Sequence, residues 1–182
     1  MPQPRRTSVT LQHRSTPAGL GSAAARGAAV ARRLARLYPQ AECSLVFGSP
    51  YELLIATILS AQCTDKRVNA VTRGLFARWP TPAALAAAGQ AEVEGAIRST
   101  GFFRAKAQTL QRMAQQLCDD HGGEVPGRLE DLVTLAGVGR KTANVVLGSG
   151  FGLPSGVVVD THVGRIARRL GLTRHTDAGR AR

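Results

Sequence analysis

Leu135-Ala136-Gly137-Val138-Gly139-Arg140-Lys141-Thr142-Ala143-Asn144-Val145-Val146 is the stretch whose reading decides the fold. It reads as a helix end, a tight Gly-Val-Gly turn and a new helix that opens on Arg140 and Lys141. Glycine accepts positive φ and lets a foreign backbone come close. The first N–H groups of a helix lack internal partners and lie at the positive end of its dipole, so phosphate binds there readily. Such contacts fix register on a nucleic acid without reading its sequence. A Gly-x-Gly turn alone fits an ordinary glycine-capped helix connection equally well. The adjacent Arg140-Lys141 pair tips the reading toward a phosphate grip formed by Gly137, Val138, Gly139, Arg140 and Thr142.

The whole chain carries the charge for such a partner. Its 24 Lys and Arg against 12 Asp and Glu give a net charge of +12 and a pI of about 11.3. A basic protein of this kind most often meets a polyanion, and nucleic acid comes first. The basic residues are almost all arginine, and Lys66, Lys106 and Lys141 are the only lysines. Arginine stays protonated and cannot act as an amine nucleophile. Side-chain Schiff-base chemistry therefore has three candidates. At the start of its helix Lys141 meets the positive dipole end and Arg140, and partial burial is expected there too; each disfavours an ammonium. Such a lysine can attack a carbon electrophile such as C1′ of a deoxyribose that is losing its base.

An amine of this kind needs a carboxylate to handle protons and cationic charge. Asp160, in Val159-Asp160-Thr161-His162, is the candidate. Aspartate is also a favoured helix N-cap. The two roles are compatible, because a cap would fix the carboxylate. His162 is a weaker candidate, for DNA contact or proton transfer, with a turn or packing role favoured. Asp177, the one acidic residue beyond Asp160, falls in what reads as a frayed end.

Upstream the pattern is helical throughout. Residues 1–26 are Pro-, Ser-, Gly-, Ala- and Arg-rich without apolar period and read as a disordered basic tail, in which Arg5, Arg6 and Arg14 are available to phosphate. A helix is expected from about residue 27 to Leu37 on the spacing of Val30, Leu34 and Leu37, ended by Pro39. Tyr51–Ala61 reads as a buried helix. Thr64 or Asp65 caps a third, with Val68, Val71 and Leu75 inward, and Thr81-Pro82 opens a short fourth. Residues 91–98 form another. Phe103, Ala107, Leu110, Ala114 and Leu117 then give the cleanest amphipathic segment, with Lys106, Gln108, Arg112 and Gln115 placed on other faces and Gly122-Gly123 at its close. Helices at 128–135 and 141–149 flank the hairpin, and a last one runs from Thr161 to about Leu170. Little suggests strand pairing, so the fold class is all-α.

Cys43, Cys63 and Cys118 are few, odd in number and far apart, which suggests a reducing cytoplasm and no disulfide framework, and they lack metal-ligand spacing, so no metal ligand is assigned. No apolar run approaches the ~20 residues of a membrane span, and the N-terminus lacks a signal-peptide core. A monomer in the cytoplasm, at the nucleoid, is expected.

The run from Leu135 to Leu147 followed by Val159-Asp160-Thr161-His162 resembles the helix-hairpin-helix Gly/Pro-Asp DNA glycosylases, in particular endonuclease III. So do Ser49-Pro50-Tyr51-Glu52-Leu53-Leu54-Ile55-Ala56, Leu59-Ser60-Ala61-Gln62-Cys63-Thr64-Asp65 and Gly123-Glu124-Val125-Pro126, in the same order. The resemblance covers roughly residues 30 to 177. It implies a bifunctional glycosylase and AP lyase that acts on oxidised pyrimidines in double-stranded DNA. Lys141 would form a Schiff base at C1′, β-elimination would nick the strand, and Asp160 would be the catalytic carboxylate. The target base must leave the duplex. Gln62 matches the family's inserted glutamine, and Phe102 falls where a leucine wedge is common.

Two departures accompany the match. Ala136 stands where the hairpin usually has proline, which is expected to loosen the turn's approach modestly. The family also continues to four cysteines that hold a [4Fe–4S] cluster, whereas this sequence has no cysteine after Cys118 and ends at Arg182. The resemblance therefore implies a six-helix barrel lobe at 44–153, with the hairpin at 128–149, and a second lobe built from the helix at 27–43 and a cut-short stretch at 154–182. Helices 27–37 and 161–170 would then lose packing partners, and no cofactor is expected. Two other readings remain open: a non-catalytic DNA-binding module, and a relative acting on pyrimidine dimers or mismatched thymine. Only the Lys141–Asp160 pair predicts chemistry; the hairpin predicts binding either way.

Overall fold

Polar residues that can accept a backbone N–H set where the helices begin. The computed structural model describes residues 21–153 and 156–175. The basic tail at 1–20, with Arg5, Arg6 and Arg14, and Asp177 lie outside the described residues. Ser22 opens α1 (Ala23–Leu37) and accepts from the Ala25 N–H at 3.2 Å. Ser49 opens α2 (Pro50–Leu59), accepting from Glu52 at 3.2 Å with Pro50 at the first helical position. Thr64 caps α3 (Asp65–Arg78) and Thr81 caps α4 (Pro82–Ala86) in the same way. Helix α5 (Gln90–Ile97) runs into a 3₁₀ turn, Arg98–Thr100, before the long α6 (Phe103–His121). Gly122, at φ +60°, and the Gly123 N–H on the Leu117 carbonyl (2.8 Å) close α6. Then come α7 (Leu129–Leu132), α8 (Arg140–Val145) and α9 (Thr161–Arg169). No strand occurs among the described residues.

Helix α2 is apolar on every side and occupies the centre, as such a helix must. Its Leu53, Leu54, Ile55, Ala56 and Leu59 are completely buried, against Val68 and Leu75 of α3 and Leu110, Met113, Ala114 and Leu117 of α6. Each buried Leu or Ile contributes about 1.5–3 kcal/mol. The Tyr51 hydroxyl reaches the carbonyls of Trp79 (3.4 Å) and Thr81 (3.2 Å), tying α2 to the α3–α4 corner; burial raises its pKa.

Three elements and one side chain depart from the sequence expectation. Helix α1 starts at Ala23, earlier than apolar periodicity indicates, because Ser22 caps it and an alanine-rich turn propagates without needing burial. The expected 128–135 helix is a single α turn, Leu129–Leu132, followed by hydrogen-bonded turns. The 141–149 helix is α-helical only to Val145, and Val146–Gly150 is wound as a π segment. Gly148 and Gly150 weaken α winding there, and Gly150 presses on Pro50 and Leu53 of α2. Lys106, expected on an outer face of α6, is buried.

Helix α1 is tied to the residues that close α9. The Arg26 guanidinium donates to the Leu170 carbonyl (3.2 Å) and to that of Gly171, across the end of α9. Much of their apolar surface is exposed, including Leu34, Leu37, Ile166 and Leu170.

Candidate functional site

The hairpin is fastened to α6 and α2 rather than resting as a free loop. Leu135 and Val138 are buried, and the Val138 N–H donates to the Leu135 carbonyl at 3.1 Å. Val138 thus anchors the turn; its side chain and N–H are both already used. Gly137 has φ +75°, and a Cβ there would lie 2.3 Å from Cγ2 of Thr109 on α6. This glycine is required by conformation and by close packing. Gly139 differs: its φ is −89°, and a Cβ would meet nothing within 4 Å. Nothing inside the protein demands a glycine there.

The approach to the turn has its own tether. The Gln116 amide accepts the Ala136 N–H at 2.7 Å and donates to the Thr134 carbonyl at 3.3 Å. A proline at 136 would have no N–H to give. The expected loosening at Ala136 is therefore offset by a side-chain clamp from α6.

Helix α8 begins without a side-chain cap, unlike α2, α3, α4 and α9. Its first internal bond is Ala143 N–H to the Gly139 carbonyl, 3.0 Å, so the amides of Arg140, Lys141 and Thr142 precede the ladder. Arg140 and Lys141 are exposed and Thr142 is half-buried. The partial burial expected of Lys141 does not occur, because its turn projects from the core.

Asp160 is extended, with φ −99° and ψ −176°, and caps α9 by accepting the Val163 N–H at 2.8 Å. That bond is the main cause of a carboxyl pKa below the ordinary aspartate value, and the Lys141 charge lowers it further. The amine and the carboxylate, far apart in sequence, act on each other electrostatically. His162 belongs to the same capping turn: its backbone N–H also favours the Asp160 carboxylate, and its Nδ1 lies 3.3 Å from the Arg165 guanidinium. It is exposed and engaged with Arg165.

The other two lysines are differently placed. Lys66 is exposed on the first turn of α3. Lys106 is 7% exposed, with Nζ held by two carbonyls.

Gln62 and Phe102 are the only non-glycine residues with positive φ among the described residues, at +54° and +48°. Such conformations cost about 1–3 kcal/mol each and persist where the surroundings impose them, often at functional sites. Both side chains are exposed, Phe102 by 68%. Arg98 and Arg104 flank the Phe102 loop, each over the Phe103 ring at 5.9 and 5.5 Å. The roles of Gln116 and Thr109 depend on Ala136 and Gly137, remote from them in sequence, whereas Arg98 and Arg104 lie within five residues of the ring they cover and carry no motif of their own.

The family profile described as HhH-GPD superfamily base excision DNA repair protein matches residues 55–181. The chain belongs to the HhH-GPD superfamily. This HhH-GPD protein is 56% identical over 144 residues to endonuclease III of Synechocystis sp., covering 79% of the chain and 66% of that relative. It is 44% identical over 137 residues to endonuclease III of Escherichia coli K12, covering 75% and 64%. The chain thus spans about two thirds of the length of these curated relatives. Its fold matches a non-covalent endonuclease III–DNA complex with TM-score 0.78 and 46% identity, covering 84% of this chain and 71% of that one. It matches a trapped endonuclease III–DNA covalent intermediate with TM-score 0.79 and 44% identity, covering 86% and 74%. The all-helical architecture is that of the helix-hairpin-helix DNA glycosylases.

The described residues do not fit the family's iron–sulfur cluster. Cys43, Cys63 and Cys118 are free, and among the described residues no group of three or more His, Cys, Asp or Glu side chains is placed to hold a metal. No helix of the described residues is long and apolar enough to cross a membrane.

Proposed function

We propose that this HhH-GPD protein is a base-excision DNA glycosylase and AP lyase acting on oxidised pyrimidines in double-stranded DNA. The observation that carries the reading is the pairing of Lys141 with Asp160. An exposed amine on the hairpin acts electrostatically on a carboxylate that is fixed by its own helix cap and kept charged. Lys106 is sequestered and Lys66 lies on another helix, which leaves Lys141 as the nucleophile.

The hairpin supplies the grip. Gly139 leaves room for a phosphate, and the uncapped amides of Arg140, Lys141 and Thr142 open toward it. The extruded base is replaced by Gln62 and Phe102. The Lys141 amine attacks C1′ as the bond to the base breaks. Asp160 stabilises the positive charge that develops on the sugar and relays the amine proton toward the departing base. The C1′–O4′ bond then breaks, the ring oxygen taking the remaining amine proton, and the open-chain imine acidifies the C2′ proton; its removal expels the 3′ phosphate, and water then frees the lysine.

Helices α2–α8 form the barrel lobe that carries the hairpin, and α1 with α9 belongs to a second lobe, supported by the Arg26 contacts at the end of α9. The protein acts as a monomer in the cytoplasm.

Borohydride trapping on abasic-site DNA tests the function. The unmodified chain is expected to give a covalent complex, and Lys141→Ala to abolish it while leaving salt-sensitive binding largely intact. Persistent trapping by Lys141→Ala refutes the assignment of the nucleophile. Binding without trapping by the unmodified chain assigns a non-catalytic DNA-binding role instead.

A further inference from the structure

Lys106 is the only buried ionic side chain among the described residues. Its Nζ donates to the Leu59 carbonyl at 2.8 Å and to the Thr100 carbonyl at 2.9 Å. Burial lowers its pKa, with Cys63 opposing the shift. Taking an ammonium out of water is costly, and two neutral carbonyls are a modest return for it. A methionine would fill the same space at less expense.

The two carbonyls explain the choice. Leu59 ends α2, and Gln62 follows three residues later. Thr100 ends the 3₁₀ turn, and Phe102 follows two residues later. Both are C-terminal carbonyls without onward helical partners, positions that favour a cation. One ammonium therefore spans the roots of the two loops that hold the strained residues. The Lys106 N–H also donates to the Phe102 carbonyl at 3.0 Å, so one residue grips the Phe102 loop twice. Thr100 is itself buried, with Oγ1 on the Ile97 carbonyl at 2.8 Å.

We propose that Lys106 is a positioning residue whose buried ammonium joins the roots of the Gln62 and Phe102 loops and so sets both side chains for insertion into a duplex. The inference rests on the insertion role given to Gln62 and Phe102 under the proposed function. It assigns Lys106 no contact with DNA.

Lys106→Met keeps the apolar stem and removes all three donors. Amide exchange at 60–63 and at 100–103 is expected to quicken together, by about tenfold or more, while the interior of α6 keeps its protection. Single-turnover excision of an oxidised pyrimidine from a paired duplex is expected to fall by about 100-fold. Trapping on abasic DNA, where the base is already gone, falls by less than about threefold. In a Gln62→Ala/Phe102→Ala background, Lys106→Met should change excision by less than about twofold, because its effect passes through those residues. If the methionine variant does not fold, Lys106→Gln, which keeps an amide donor, is expected to show the same split at smaller amplitude. Equal losses in excision and trapping, or faster exchange in only one loop, overturn the proposal. Absence of both activities in the unmodified chain refutes the glycosylase/lyase reading, while paired loosening of the loops still supports the joint made by Lys106.

Discussion

Gly137→Ala separates what the protein requires of its hairpin from what a ligand requires. The new Cβ meets two penalties. The first is conformational: φ is +75°, where a side chain costs about 1–2 kcal/mol. The second is steric: the Cβ would lie 2.3 Å from Thr109 Cγ2, and overpacking of this kind costs about 1–3 kcal/mol. Together they amount to about 2–5 kcal/mol, a large fraction of a typical stability of about 5–15 kcal/mol. Thr109→Ala removes the obstructing methyl and leaves the dihedral untouched. In a double-mutant cycle read by urea unfolding, Thr109→Ala should therefore recover about 1–3 kcal/mol of the Gly137→Ala loss and leave about 1–2 kcal/mol of strain. Costs that add to within about 0.5 kcal/mol would refute the packing argument, because independent sites add to that precision. Full recovery would refute the strain argument instead.

Gly139→Ala is expected to change stability by less than about 0.5 kcal/mol, since its φ of −89° suits alanine and its surroundings are open. Its affinity for abasic DNA should nevertheless fall by about tenfold, or 1.4 kcal/mol, in a salt-controlled titration; unchanged binding would remove Gly139 from the interface. Asp160→Asn keeps a good N-cap and loses the charge. The folded Asp160 carboxyl lies below its unfolded value of about 3.9, so its contribution is present above that pH and is lost as pH falls through the lower folded value. The stability gap between the parent and Asp160→Asn should close below about pH 4, and a gap that widens in acid contradicts this assignment.

The elements that were legible in the sequence are those whose causes are local. Thr64 and Thr81-Pro82 carry their own start signals, and α6 carries an unbroken apolar period up to its paired glycines. The apolar block of α2 could only be a central helix. The hairpin and the Asp160 cap are likewise short-range, and both stand where the sequence puts them. What escaped depends on partners remote in sequence. Lys106 looks like a surface residue until the carbonyl of Leu59, 47 residues away, comes into reach. Ala136 looks like a weakened proline until Gln116, 20 residues away, takes its N–H. The left-handed backbone at Gln62 and Phe102 has no sequence signal, because glutamine and phenylalanine do not favour it. Helix α1 began early because an exposed, alanine-rich turn needs no apolar stripe.

The Arg26 contacts also bear on the birth of the chain. They join residues 144 and 145 positions apart, so α1 leaves the ribosome long before the carbonyls it will hold. At about 5–20 residues per second, that interval is roughly 7–30 s. Helices α2 to α8 are synthesised within it and can complete their core from contacts already available. The joint between α1 and α9 is consequently among the last to form. Until then α1 waits without the carbonyls that will hold it, while its Leu34 and Leu37 are as open to water as they remain in the folded chain.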